Sequence, residues 1–405
     1  MMVKSIPVRS VIDAVAGASA AWCDVRYAPR RRAVDAVSNR TGYSPPVVEF
    51  AFDRLFRSLG GDAIAAVIAA ELGSLEVLDG FVDLGARGMT RALPIGRVCV
   101  ISSRTTIGVA IVPAIFALCA KCDVLVKDRD DHLVAAFFAT LTEILAQLGD
   151  AVAARPWLGE SDDVNLDAFD SIVAFGSDRT LAAISGALRF PARLISYPSK
   201  LSAGYLSSQA LATRGAAETV TRGAARDMLL YDGEGCLSLR ALFIERGANV
   251  SPLQFCEMLR DAVELTATEF PATASARSSA QLAMARDTAS FRMAPGEHIF
   301  TNAQSSYLLL FDPPLDGPPL LTPRALSVYS VADPHEAAAY LRRHGIALEA
   351  LAVAQPADAA LCSVAASLGA SRITAFGSLQ NPPLAAFHGG RPRVAEFVRW
   401  ISDET

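Results

Sequence analysis

Residues 232–238 read Asp232-Gly233-Glu234-Gly235-Cys236-Leu237-Ser238 and run directly into a strand-like segment, LRALFIE (239–245). Glycine carries no side chain, so a carbonyl compound can approach the Cys236 sulfur closely there. Backbone N–H groups of such a loop can also face a developing oxyanion. The chemistry implied is attack by a thiol on a carbonyl carbon. Cys99, Cys119, Cys122, Cys256 and Cys362 lie inside apolar runs, where free cysteine packs as a small hydrophobe. Cys119 and Cys122 form a C-x-x-C at the end of an expected helix. A redox pair belongs at a helix start and a zinc site needs a second ligand pair, so core packing is expected of both.

The five histidines, His132, His298, His335, His344 and His388, show no metal-ligand spacing, and no metal is expected. A histidine partner for Cys236 would be adjacent in space rather than in sequence, and the sequence selects none of the five. The chain has no GxGxxG and no GxxxxGK[ST], so neither a standard Rossmann fingerprint nor a P-loop is present.

The elements that must position these residues follow from hydrophobic periodicity. Residues 1–90 are expected to be mostly helical, with VVEFAFDRLFRSL (47–59) and DAIAAVIAAEL (62–72) placing apolar residues three and four apart. From 91 the pattern alternates. Strands are expected at 96–102, 123–128 and 171–177, and helices at 108–120, 132–148 and 179–188. Alternating strands and helices imply parallel βαβ units, whose ligands bind beyond the carboxyl ends of the strands. Those ends are Ser102–Thr106, Lys127–Asp130 and Gly176–Ser177. A second α/β unit is expected from about 213, with strands at 239–245, 305–311 and 324–331 and helices at 252–265 and 334–344. The Pro-rich stretch 313–323 is a loop, and 395–401 is expected as a short terminal helix.

The net charge of −5 and pI near 5.6 exclude the basic face of a nucleic-acid binder. The longest apolar run, 107–120, is too short to span a bilayer and contains Pro113. No apolar core of a signal peptide precedes Asp13, and seven cysteines without regular spacing suggest reduced thiols, so a cytoplasmic setting is expected.

The order of these motifs resembles the aldehyde dehydrogenase superfamily, in particular its acyl-CoA reductase branch, which includes the bioluminescence-type fatty-acyl reductases. Residues 92–132 resemble that family's first cofactor-binding βαβ unit, and IVAFGSDRTLAAI (172–184) its third strand and helix. YDGEGCLSLRALFIERG (231–247) resembles its nucleophile loop, and FGSLQNPPLAAFHGGRPRVAEFVRW (376–400) its C-terminal signature. The resemblance implies an α/β, aldehyde-dehydrogenase-like fold. A Rossmann-type cofactor domain over 91–212, completed by 376–405, would carry the helical segment 1–90. A catalytic domain would span 213–375, with the nucleophilic cysteine between the two. It implies an NAD(P)H-dependent acyl-thioester reductase. Cys236 would take the acyl group from an acyl-CoA or acyl-carrier protein, and hydride from NADPH (or NADH) would release an aldehyde. Ser102, Lys127, Gly176 and Ser177 would line the cofactor, while Asp130 favours a ribose 2′-hydroxyl and Arg129 a 2′-phosphate. It also implies a homo-oligomer.

Three departures stand out. Oxidising relatives carry a glutamate that activates water, and the matching segment here, LISYPSKLSAGYL (194–206), contains no acid; Glu234 is the local substitute. The branch usually has Gly-Asn after the first strand, where Arg104-Thr105 stand, leaving the Thr105 hydroxyl as oxyanion donor. The branch's Trp-His-Asp-Gly is replaced by Phe387-His388-Gly389-Gly390. These changes leave an acyltransferase on the same fold as the alternative activity, with Cys236 passing its acyl group to an amine, alcohol or carbon nucleophile. A non-enzymatic binding subunit is the third.

Overall fold

The computed structural model describes residues 3–103, 105–129, 132–156, 165–272, 276–354 and 356–405. Asp130 and Arg104 therefore lie outside the described residues. The chain forms two compact units, one of residues 1–41, 48–199 and 383–405 and the other of 42–47 and 200–382.

Four helices lead the chain: α1 (Val8–Cys23), α2 (Ala28–Thr41), α3 (Pro45–Ser58) and α4 (Gly61–Leu72). Their apolar stripes close over Trp22, which is fully buried 4.9 Å from Phe56 between ring centres. Its indole N–H donates to Thr140 Oγ1 at 3.0 Å, so the large ring is buried without an orphaned donor. Two short strands, β1 (Val82–Asp83) and β2 (Met89–Pro94), precede the parallel sheet.

That sheet is built from β3 (Arg97–Ile101), α5 (Ile111–Cys119), β4 (Asp123–Asp128), α6 (Leu133–Ile144), β5 (Val152–Pro156), β6 (Ser171–Gly176), α7 (Asp178–Ala187) and β7 (Arg193–Pro198). Its order is β5-β4-β3-β6-β7, every pair parallel. Both faces are covered, which is why β3 and β6 read as continuous apolar runs rather than alternating ones. Helix α5 is apolar all round and buried over its length apart from Val112.

The second unit contains β8 (Leu201–Leu206), α8 (Arg214–Leu229), β9 (Leu239–Glu245), α9 (Pro252–Glu269), α10 (Ala276–Arg292), β10 (His298–Phe300), β11 (Leu308–Phe311), β12 (Ala325–Val331), α11 (Pro334–Arg343), β13 (Leu348–Val353), α12 (Ala359–Ser367) and β14 (Arg372–Ala375). Its seven strands run β10-β11-β12-β9-β8-β13-β14, parallel apart from β10. One face packs Leu242, Leu259 and Met228 into a core, and the other packs Phe243, Tyr329 and Leu341. Finally, β15 (Val398–Asp403) returns to the first unit and pairs antiparallel with β2.

Several expectations from the sequence are corrected. The tail is a 3-10 turn at Ala395–Phe397 and then a strand rather than a helix: the six register positions with β2 outweigh a local apolar spacing that suits either element. The chain passes from the first compact unit to the second at Ser199–Lys200, where β8 follows β7 without a helix and joins the second sheet. Helix α10 and strand β10 were unread; α10 buries little beyond Leu282, so its sequence shows no clean stripe. Cys362 is exposed, not buried, at the outer face of α12. Cys119 and Cys122 are fully buried, and burial pushes both thiols up to about 12, as inert packing groups require.

Candidate functional site

In the first unit, the expected cofactor residues gather at the carboxyl ends of adjacent parallel strands. Ser102 follows β3, is almost fully buried, and its N–H donates to Lys127 O at 3.2 Å. Lys127 lies on β4 between Ile101 and Arg155, with 6% of its surface exposed. A lysine so buried must satisfy its charge locally, and it lies at the carboxyl end of its strand, where ligands of parallel sheets bind. Arg129 follows, half-buried. Asp128, within the expected strand end Lys127–Asp130, accepts from Val134 N in the first turn of α6 at 3.0 Å and so fixes the same edge.

Gly176 ends β6, where a Cβ would come 3.3 Å from Thr180. Ser177 is the N-cap of α7; its hydroxyl accepts from Thr180 N at 3.2 Å. The pair thus opens a ten-residue helix whose first N–H groups and dipole favour an anion. Thr105 is turned back on Ser103: its N–H donates to Ser103 Oγ and the two hydroxyls are 3.2 Å apart.

In the second unit, Cys236 precedes β9 and is half-buried. Tyr231, Asp232 and Gly233 are consecutively left-handed, with φ of 54°, 50° and 70°. For the two non-glycine residues such backbone costs on the order of 1 kcal/mol each, so something must hold it. Arg324 does: its N–H donates to Asp232 O at 2.7 Å and its guanidinium to Asp232 Oδ1 at 2.8 Å. The chain then turns, Ser238 N donating to Gly235 O at 2.9 Å, and Ser202 Oγ on β8 donates to Cys236 O at 2.9 Å. The N–H groups of Cys236 and Leu237 face the sulfur.

The sheet is irregular at this level. Between β8 and β13 the register slips at Glu349, and between β8 and β9 it slips at Arg240. A bulge leaves one residue unpaired and re-aims its side chain. Arg240 turns to Leu321 O and Thr322 O, at 3.1 and 2.8 Å, and burial lowers it to about 10. Glu349 accepts from Ser371 Oγ at 2.7 Å and lies 3.8 Å from Lys200 Nζ. Burial first, then the negative charge of Glu349, pushes the Cys236 thiol up to about 12, opposed by the two N–H groups and Lys200.

Against known proteins, residues 3–400 match the protein family described as acyl-CoA reductase (LuxC). The chain belongs to the LuxC acyl-CoA reductase family. Its fold is that of aldehyde dehydrogenases. A glyceraldehyde-3-phosphate dehydrogenase, GapN, of Methanocaldococcus jannaschii shares 10% identity over 99% of this chain and 90% of its own, with a TM-score of 0.74. A benzaldehyde dehydrogenase of Corynebacterium glutamicum shares 12% over 100% and 86%, TM-score 0.70. Aldehyde dehydrogenase 21 of Physcomitrella patens shares 11% over 99% and 85%, TM-score 0.69. No curated protein matches in sequence.

This LuxC-family reductase keeps the altered C-terminal residues in a defined place. His388 and Arg391 close a tight turn over Gly389 and Gly390, each N–H donating to the other's carbonyl at 3.1 and 2.9 Å. Both glycines have positive φ, 57° and 79°, the conformation that turn demands. The imidazole stacks on Tyr197 at 4.3 Å, beside Phe175 at 5.3 Å, and burial with Arg393 holds its pKa down to about 3. The ring is therefore neutral at physiological pH. Tyr197 and Phe175 lie on β7 and β6 near the same strand ends as Gly176.

Glu349 and Lys200 are functional candidates the sequence did not yield. Glu349 is 113 residues from Cys236, and its signal was a lone acid inside an apolar strand, LEALAV. Glu234 by contrast is exposed, its charge acting on Arg240. Among the described residues no cluster of His, Cys, Asp or Glu is fit to hold a metal, and no helix is long and apolar enough to cross a membrane.

Proposed function

We propose that the enzyme reduces an acyl thioester to an aldehyde through an acyl group carried on Cys236. The observation that carries this reading is the Cys236 turn before β9, closed by Ser238 N on Gly235 O and held by Ser202 at Cys236 O, around a half-buried thiol whose pKa the N–H groups of Cys236 and Leu237 lower. The Cys236 thiol attacks the carbonyl carbon of an acyl-CoA or acyl-carrier thioester and loses its proton. The carbonyl oxygen, negative in the tetrahedral intermediate, is met by the N–H groups of Cys236 and Leu237. Collapse breaks the old thioester bond, releases the substrate thiol with a proton, and leaves Cys236 acylated.

The residues at the strand ends fit a dinucleotide. A buried lysine and a helix N-terminus that follows directly on a strand end are what a ribose and phosphates require. When bound, NADPH (or NADH) supplies the hydride that, with a proton, converts the enzyme thioester to aldehyde and frees the thiol. Lys127 and Ser102 would hold the ribose side and Gly176 and Ser177 the phosphates. Arg129 favours NADPH.

Water is the competing acceptor, and Glu234, the local acid, is exposed with its charge acting on Arg240. Segment 194–206 carries no acid, and Glu349 is committed to Ser371 and Lys200. The acyl-enzyme is thus kept for hydride. The test is intact-mass analysis after incubation with a panel of acyl-CoA and acyl-carrier thioesters, with and without NADPH. Acylation of Cys236 that discharges as aldehyde on adding NADPH is expected. Acylation that never discharges with NADPH or NADH sinks reduction and favours transfer to another nucleophile. No acylation under any condition, or full activity in Cys236→Ala, sinks the nucleophile.

A further inference from the structure

Residues 376–380, Phe-Gly-Ser-Leu-Gln, play no part in the chemistry above, yet the second unit grips them from several sides. Asp227 on α8, fully buried, accepts from Gly377 N at 2.6 Å and from Leu379 N at 3.1 Å. Arg372 on β14 donates to Leu379 O at 2.9 Å and also to Ser378 O. One turn before Asp227, Gly223 makes room for the segment: a Cβ there would sit 2.7 Å from the Phe376 carbonyl carbon. Gly204 on β8 makes room for the Phe376 ring, which a Cβ would meet at 2.6 Å. The far end of the segment reaches the nucleophile loop. Gln380 Nε2 donates to Ser238 Oγ at 2.7 Å, both groups buried, and Ser238 closes the turn on which Cys236 sits.

We propose that 376–380 is a clasp for the Cys236 turn, with Gln380 as its positioning residue and Asp227 as its anchor. The clasp holds Ser238 so that the N–H groups of Cys236 and Leu237 stay aimed at the reacting carbonyl oxygen. Ser202 restrains the same turn from the other side, at Cys236 O. A buried carboxylate is costly, and burial pushes that of Asp227 up to about 7 against the pull of its two N–H donors and Arg372. Such a group persists where the segment it fixes is worth holding. The inference rests on Cys236 being the acylated nucleophile for its consequence in catalysis, but the clasp itself is a structural claim that stands apart from it.

The experiment uses the full chain and the variants Gln380→Ala, Ser238→Ala and their double. Hydrogen exchange of peptides covering 233–238 reads the clasp directly. Steady-state acylation by decanoyl-CoA reads its effect, and melting temperature is followed in parallel. Exchange of the turn amides is expected to accelerate about tenfold in each single variant while β9 stays protected, with kcat for acylation down about tenfold and KM within twofold, since a misplaced donor weakens the transition state rather than binding. The double variant is expected to be no worse than either single, because both remove one bond. Unchanged exchange of the turn overturns the clasp whether or not wild-type protein is acylated. Additive losses, or a rise in KM with kcat intact, overturn the positioning role. Ser238→Ala removes a single oxygen and keeps the test open should Gln380→Ala fold poorly. Absence of acylation in wild type counts against the Cys236 reading alone, since exchange still decides the clasp.

Discussion

The two units place their candidate residues at opposite ends of their parallel strands. In the first, Lys127 and Gly176 lie at the carboxyl ends of β4 and β6, Ser102 follows β3, and Ser177 caps the start of α7. In the second, Lys200, Ser202, Cys236 and Glu349 stand before strands or at their first residues. The carboxyl end of a parallel sheet comes with free N–H groups and positive helix ends, so an anionic ligand is held by backbone that the fold provides anyway. The amino end has no such supply. There the donors must be made by a tight turn and held by side chains from other elements, which is why Arg324, Ser202 and Gln380 all bind the Cys236 loop.

The difference sets four expectations, from the largest effect down. Cys236→Ala should lower aldehyde formation about 10⁴-fold or more, as loss of a covalent nucleophile does; residual activity within tenfold of wild type, followed as NADPH consumption, would break the assignment of chemistry to the second unit. Lys127→Met should raise KM for NADPH roughly 10–100-fold by removing a buried charged donor, with acylation of Cys236 in the absence of cofactor unchanged. If acylation falls equally, Lys127 supports the fold rather than the ligand.

His388 provides a pH test of the first unit. Its folded pKa is depressed to about 3 from 6.5, so the unfolded state binds the extra proton more readily between those values. The stability it contributes is present above 6.5 and is lost as pH falls toward 3. Urea midpoints between pH 4 and 7 should decline more steeply in wild type than in His388→Phe, the difference being on the order of 2–4 kcal/mol at the acid end; parallel slopes would remove the imidazole from the stack's energetics. The smallest effect belongs to Glu349→Gln. Loss of its negative charge should move the pH midpoint of Cys236 alkylation by iodoacetamide down by roughly half to one unit, and Lys200→Met should move it up. A midpoint indifferent to both substitutions would detach this ion pair from the thiol.

How much of the site was legible depended on whether its residues are close in sequence. The Cys236 loop could be read because glycines and a strand follow one another within a dozen residues. The strand ends could be read because βαβ periodicity marks where each strand stops. Glu349 could not, because a lone acid in LEALAV has no sequence neighbour that relates it to Cys236, and a register slip between β13 and β8 aims it. Asp227 was hidden likewise: on a helix of mixed composition it looks like a solvated charge, and only the packing of 376–380 against Gly223 reveals it as fully buried. The tail failed for a different reason. AEFVRWI suits a helix or an edge strand, and the partner β2 that decides between them lies 300 residues earlier in the chain.

The sequence by itself determined the class of the fold, and it marked the loop of the proposed nucleophile and the strand ends proposed for a dinucleotide. Periodicity and glycine placement are local, and local physics suffices for them. The tertiary structure alone decided which charges surround that thiol and which segments hold its turn. Burial, bulges and hydrogen bonds between residues far apart in the chain exist only once the sheet has assembled.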